Sequence, residues 1–206
     1  YPIYDLWAEY LPVSEPLKLA SQSKRAREIV GSFLTLGTLL QRNQVPFCIV
    51  DHLQLAQAKV DGEGNLKVAG RLFQGILLPA SVQLPDRAAS AVEAFRSQGG
   101  LVLQDMPGQS STKELIAKLP RRFRLNPPSR WISLGAFRRE KLRILVVVNT
   151  AERPYKGSLA LSERRNWTFL DPASGTVQPG PAAAKIFPLN LQPYGVLLAV
   201  GSPSSN

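Results

Sequence analysis

The hydrophobic period of this 206-residue chain changes once, after Leu125, and that change decides what the chain can fold into. Before it, short apolar runs alternate with stretches that are apolar at three- and four-residue spacing. After it, apolar and polar residues alternate in runs repeating about every ten residues, the spacing of antiparallel strands joined by turns. The first pattern is that of strands joined by helical crossovers. Between the two, Asn126-Pro127-Pro128-Ser129 is a stiff connector, because proline fixes φ, lacks an N–H and keeps the residue before it out of helix. Two domains are expected: residues 1–125, α/β, and residues 126–206, all-β.

In the first half, three runs read as buried parallel strands. They are Pro46-Phe47-Cys48-Ile49-Val50-Asp51, Gly75-Ile76-Leu77-Leu78-Pro79-Ala80 and Gly100-Leu101-Val102-Leu103-Gln104-Asp105. Residues 85–98 are apolar at helical spacing and closed by Gly99-Gly100. The opening Tyr1-Pro2-Ile3-Tyr4, without an initiator Met, reads as the tail of a further strand in a piece of a longer protein. Residues 17–44 predict one long helix that ends where Val45-Pro46 demands extended backbone. Asp51 is placed to cap a short helix over residues 52–58, and Asp61-Gly62-Glu63-Gly64-Asn65 turns a small hairpin. Ser111 and Glu114 carry capping-box spacing for a helix through Leu119. The expected fold class is α/β plus all-β: an open, mostly parallel flavodoxin-like sheet, then a small antiparallel β-sandwich. The sandwich strands are expected at residues 131–138, 142–149, 157–161, 167–171, 185–191 and 195–200, with a turn at residues 162–166.

Ligands of open α/β sheets sit beyond the carboxyl ends of the strands. Those ends carry Asp51-His52, Pro79-Ala80-Ser81 and Asp105-Met106-Pro107, which is little chemistry for an enzyme. Ser81 lacks the flanking glycines of a nucleophile elbow, so it is not expected to take the strained, exposed conformation that activates a serine. Cys48 reads as a small core hydrophobe in mid-strand, which argues against a Cys48–His52 dyad. One His and one Cys cannot build a zinc site, and Asp61 to Asn65 fits a hairpin turn better than a calcium loop. No dinucleotide or Walker glycine loop is present, so no cofactor and no metal are expected. Asp51, Asp105 and Glu9 cannot be paired into a glycosidase couple from sequence. Trp131 and Trp167 fall at strand-inward positions, whereas Trp7 and Tyr10, outside regular pattern, suit an interdomain or subunit contact. No catalytic residue is assigned.

The net charge of +10 is concentrated in Arg121, Arg122, Arg124, Arg130, Arg138, Arg139, Lys141 and Arg143, opposed only by Glu140. Arg121, Arg122, Arg124, Arg138 and Arg139 form a candidate anion-binding group for an acidic polymer. Stacking aromatics are sparse within the cluster and no nucleic-acid module surrounds it, which speaks against nucleic acid. No apolar run approaches the ~20 residues of a membrane span, and no signal peptide is visible. The compartment stays open: secreted or periplasmic if a longer parent carries a leader, cytoplasmic otherwise.

Several stretches resemble the region after the catalytic barrel in large bacterial glycoside hydrolases. They are Tyr1-Pro2-Ile3-Tyr4-Asp5-Leu6-Trp7-Ala8-Glu9-Tyr10, Asn43 to Asp51, Gly75 to Ala80 and Phe95 to Val102. That region has the class I glutamine-amidotransferase-like fold, as in β-galactosidase trimerisation domains and multidomain α-L-rhamnosidases. The cysteine that its amidotransferase relatives need is absent from Ala80-Ser81, so amidotransfer is not implied. Leu145 to Thr150, the Asp171-Pro172-Ala173-Ser174-Gly175 turn and Leu191 to Leu198 resemble the closing β-sandwich of such enzymes. The resemblance implies a non-catalytic accessory region of a glycoside hydrolase. Its partners would be its own upstream catalytic domain, a second copy of itself, or carbohydrate.

Overall fold

The computed structural model describes residues 2–12, 18–105, 117–119 and 121–204. They fall into two compact units, one within residues 1–39 and 48–119, the other within residues 40–47 and 120–206. The helix expected from Ser111 and Glu114 lies largely outside the described residues.

The first unit opens with helix α1 (Ile3–Ala8), not with the strand tail expected at residues 1–4. Asp5 and Glu9 lie four residues apart, and only a helix brings such a pair close enough to share one guanidinium, that of Arg25. Helix α2 (Lys24–Arg42) starts later than its apolar spacing suggests. The Ser23 hydroxyl accepts from the Ala26 N–H at 3.0 Å, as an N-cap does, and a single 3-10 turn (Leu19–Ser21) precedes it. Helix α3 (His52–Ala56) carries the expected cap: Asp51 accepts from the Gln54 N–H at 2.7 Å, and the Gln54 side chain returns to the Asp51 N–H. Strands β1 (Lys59–Val60), β2 (Leu66–Val68) and β3 (Arg71–Phe73) extend the expected hairpin into a three-stranded antiparallel sheet. In its turn Asp61 accepts from the N–H groups of Asn65 and Glu63, and the Asn65 bond holds its carboxyl below the usual range.

Strands β4 (Gly75–Leu78) and β5 (Leu101–Gln104) pair in parallel through a crossover helix, α4 (Asp86–Ser97). Helix α4 buries Ala88, Val92 and Phe95 against Leu55, Leu66 and Val68. A Cβ at Gly100 would lie 2.4 Å from the Phe95 ring, so the turn out of α4 needs glycine there.

The expected open, mostly parallel sheet of flavodoxin-like or amidotransferase-like type is overturned, because among the described residues β4 and β5 are its whole extent. Residues 45–51 form no strand, and Phe47, Cys48 and Ile49 are exposed. Gln44 holds the start of this run elsewhere. Its Nε2 donates to the carbonyls of Arg42, Ser129 and Ile132 at 3.0, 3.0 and 2.7 Å, and residues 40–47 belong with the second unit. Pro46 further removes a ladder donor.

The second unit is one curled antiparallel sheet of seven strands, which overturns the expected β-sandwich. The strands are β6 (Phe123–Asn126), β7 (Ile132–Arg139), β8 (Leu142–Asn149), β9 (Tyr155–Leu170), β10 (Val177–Pro179), β11 (Ala184–Leu191) and β12 (Val196–Pro203). Their order is β10-β9-β12-β8-β7, with β6 and β11 also paired to β9. The turn expected at residues 162–166 does not exist, and β9 runs through it for sixteen residues. Its first half pairs with β6 and β11, and its second half with β12 and β10. Odd-numbered residues of β9 face inward, so Leu159, Leu161 and Trp167 join Phe123, Leu145 and Phe187 in one core. The Asp-Pro-x-x-Gly turn closes β9 onto β10 as expected, with Gly175 at φ 69° donating its N–H to the Asp171 carbonyl at 2.8 Å.

Candidate functional site

The carboxyl ends of β4 and β5 and the turn after β4 gather a network of polar side chains from α1 and α2. Ser32, buried on α2, donates to Asp105 Oδ2 at 2.5 Å and accepts from the Ala80 N–H at 2.8 Å. One hydroxyl thereby ties the ends of both strands to the helix above them. Arg25 bridges Asp5 at 3.0 Å and Glu9 at 3.2 Å, and its Nη2 reaches the Ser81 carbonyl at 3.4 Å. Asp5 also accepts from the Gln83 N–H, and Glu9 from the Ser23 hydroxyl. Each of these carboxylates is spent as an acceptor on the chain's own donors.

Ser81 corrects the sequence reading. It is exposed with φ +60°, a left-handed backbone that costs a non-glycine residue about 1–2 kcal/mol. Flanking glycines are not required, because Arg25 and Asp5 pin the carbonyl and N–H groups of this turn. The Ser81 hydroxyl donates to Glu28 Oε2 at 3.4 Å, and that carboxylate pairs with Lys24 at 3.9 Å. The imidazole that a Ser–His mechanism needs is placed otherwise: His52 packs edge-on against Tyr4, with ring centroids 4.4 Å apart. Cys48 is also not where the sequence put it. It is exposed, with the Arg71 guanidinium 3.3 Å from its sulfur.

Trp7 and Tyr10 are 65% and 51% exposed, and Trp7 meets Tyr4 edge-on at 5.5 Å. Among the described residues no group of three His, Cys, Asp or Glu side chains could hold a metal. No helix among them is long and apolar enough to cross a membrane.

The basic residues divide. Arg121, Arg122 and Arg124 are exposed on and before β6, where Arg124 lies beside Ala160. Arg130 covers the Trp131 ring at 4.7 Å. Arg138 lies opposite Arg143 on β7 and β8, and Arg139, the next residue, faces the other side of the sheet. Arg143 donates twice to Glu163 Oε1, at 2.7 and 3.0 Å, while Arg165 donates to Oε2 at 2.8 Å. Burial alone would raise the Glu163 carboxyl, but the hydrogen bonds from Arg165 and Arg143 outweigh it and hold the group below its ordinary range. This triad was missed in the sequence because residues 162–166 read as a turn. The signal was present in parity, since Glu163 and Arg165 share the inward face of Leu161 and Trp167. The Arg25 cluster was missed because residues 1–4 read as a strand.

No protein-family model and no curated protein sequence matches the chain. Among solved structures, it resembles a rhamnosidase from Novosphingobium sp. PP1Y at TM-score 0.56 and 15% identity, over 73% of this chain and 19% of that one. It also resembles α-L-fucosidase isoenzyme 2 from Paenibacillus thiaminolyticus at TM-score 0.52 and 9% identity, over 82% of this chain and 44% of that one. The chain therefore spans less than half the length of either protein. At these identities the likeness is one of fold, and both of these neighbours are glycoside hydrolases.

Proposed function

We propose that this chain is a non-catalytic accessory region of a glycoside hydrolase, which supports a catalytic domain and offers Trp7 and Tyr10 as a contact to that domain or to a second copy. The observation that carries the reading is the commitment of the carboxylates around the β4 and β5 ends. Glycoside hydrolysis needs two carboxyl groups turned toward the sugar, one to protonate the leaving oxygen and one to act as nucleophile or base. Asp105 is held by Ser32, and Asp5 and Glu9 are both held by Arg25. Ser81, strained as it is, faces a carboxylate and no imidazole. The fold likeness to a rhamnosidase and a fucosidase supports the choice of parent enzyme.

The test is an activity assay of the purified chain on nitrophenyl α-L-rhamnoside, α-L-fucoside and β-galactoside. No turnover above the blank is expected. Turnover that disappears in Asp5→Asn or Glu9→Gln would overturn the reading.

A further inference from the structure

We propose that the end of the curled sheet where β7 turns into β8 binds an anionic polysaccharide through its sulfate or carboxylate groups. The choice of a glycan rests on the glycoside-hydrolase reading above; the site itself rests on register and charge. Arg138 lies opposite Arg143, Arg143 opposite Gly201, Gly201 opposite Trp167, and Arg165 opposite both Pro203 and Ala184. Four strands and the Arg139-Glu140-Lys141 turn thus bring Arg138, Arg139, Lys141, Arg143, Arg164 and Arg165 to one end of the sheet, against Glu140 and Glu163 alone among the described residues.

The cations have two different jobs. Arg143 and Arg165 are fixed by Glu163, and Arg165 is fixed further by the Lys141 carbonyl at 2.8 Å. A Cβ at Gly201 would lie 2.8 Å from Arg165 Cδ, so glycine at that position clears its path across the sheet. Arg165 Nε is buried without an acceptor, and one carboxylate does not balance the two guanidinium groups around it. Arg138, Arg139, Lys141 and Arg164 are the exposed members, and of these Arg164 reaches back to the Ala183 carbonyl at 3.5 Å. Arg138 spends its Nε on the Glu140 carbonyl at 3.0 Å, and its Nη groups project from an anchored fork. Fixed guanidinium forks bind planar carboxylate and tetrahedral sulfate with two parallel bonds and little entropy to lose.

A flat apolar surface adjoins Arg139 on the face of β7 opposite to that of Arg138. Phe137 is 57% exposed on the outer face, two residues from Arg139, and its ring lies over Gly135, where a Cβ would be 3.0 Å away. One ring beside cations suits the apolar face of a single pyranose, whereas a strand of bases needs a series of rings. Arg121, Arg122 and Arg124 fall outside the site. Arg124 sits beside Ala160, five residues before Arg165 on β9 and roughly 17 Å away along the strand.

The test measures binding of the full chain to heparin, polygalacturonate, neutral dextran and a 20-base-pair DNA duplex over a salt series. Three proteins are compared: the unmodified chain, Arg138→Gln/Arg139→Gln/Lys141→Gln, and a charge-matched control, Lys59→Gln/Lys67→Gln/Arg87→Gln. Heparin and polygalacturonate should bind and dextran should not, with a sulfate or carboxylate preference read from the first two. The site triple should lose about tenfold in affinity and flatten the salt dependence, while the control loses less than about threefold. Equal losses in the two triples would reduce the effect to net charge and overturn the site. Tighter binding to DNA than to either glycan, lost in the same triple, would overturn the choice of ligand, as would failure of both glycans to bind. Should the site triple misfold, Arg139→Glu alone, on an exposed side chain, gives the same reading. Turnover in the activity assay would sink the accessory reading while leaving these binding results unaffected.

Discussion

The two units hold themselves together by different means. In the curled sheet, strands far apart in sequence bury their inward residues in one apolar core, with Phe187, Leu159, Leu145 and Ile132 fully enclosed. In the α/β unit the parallel pair has four residues per strand, too little sheet to cover a helix by apolar contact alone. Polar side chains complete the work there. Ser32 ties β4 and β5 to α2, and Arg25 ties α1 and the turn after β4 to the same helix. A sheet of many strands can leave its polar groups to the backbone ladder. A small parallel pair needs named side chains at named positions, which makes it fragile to single polar changes.

The largest effect should come from the sheet's core. Phe187→Ala removes a ring packed on Trp167 and Phe169 and should cost about 3–5 kcal/mol in urea denaturation followed by tryptophan fluorescence. A loss under about 1 kcal/mol would mean that the core of the curled sheet is not the one described. Next, the polar contrast can be tested directly with Ser32→Ala. It strips the hydroxyl from Asp105 and the Ala80 N–H and should cost about 1–3 kcal/mol. If the variant is neutral, the α/β unit does not depend on side-chain hydrogen bonds.

A third prediction concerns acid. The Glu163 carboxyl is held below its ordinary range in the folded chain, so the stability it contributes is complete above about pH 5 and is lost as pH falls through its depressed folded-state value. Below pH 4 the unmodified chain should therefore lose more stability per pH unit than Glu163→Gln, measured by thermal melts across pH. Identical slopes would place that carboxylate outside the ion-pair network. The smallest effect is chemical: Cys48, exposed in the α/β unit, should react with a thiol reagent in the native chain without denaturant. Protection of the thiol until unfolding would return Cys48 to the core that its apolar neighbours suggested.

How far the fold was legible in the sequence follows the same division. Strand β8 was read to the residue because Ile144 to Val148 is an unbroken apolar, mostly β-branched run bounded by the Arg139-Glu140-Lys141 turn and Thr150. Helix α4 was legible from Ala88, Val92 and Phe95 at helical spacing, and its end from Gly99-Gly100. The middle of β9 was not, because Ser162 to Asn166 is polar throughout, and the β12 ladder and Glu163 ion pairs that hold it extended come from partners distant in sequence. Residues 46–51 misled in the opposite sense. They are apolar enough for a buried strand, yet no neighbouring strand completes their ladder, and pairing cannot be read from one segment. The candidate site was least legible, since Arg25, Ser32, Ser81 and Asp105 converge only once the helix and both strands are in place. The capping and turn residues Asp51, Asp61 and Asp171 were readable because their partners lie within a few positions.

Strand β12 comes last in sequence among the seven strands of the curled sheet, yet it occupies the middle of that sheet, hydrogen-bonded to β8 on one side and β9 on the other. Until it arrives, the nascent chain carries two unfilled edges flanked by Ile144, Val146 and Phe169, and no local hairpin can cover them. Sheet closure is therefore a late, long-range event that favours chaperone capture and edge-to-edge association during synthesis. Strands made early can pair as they emerge, but the gap between β8 and β9 waits for β12.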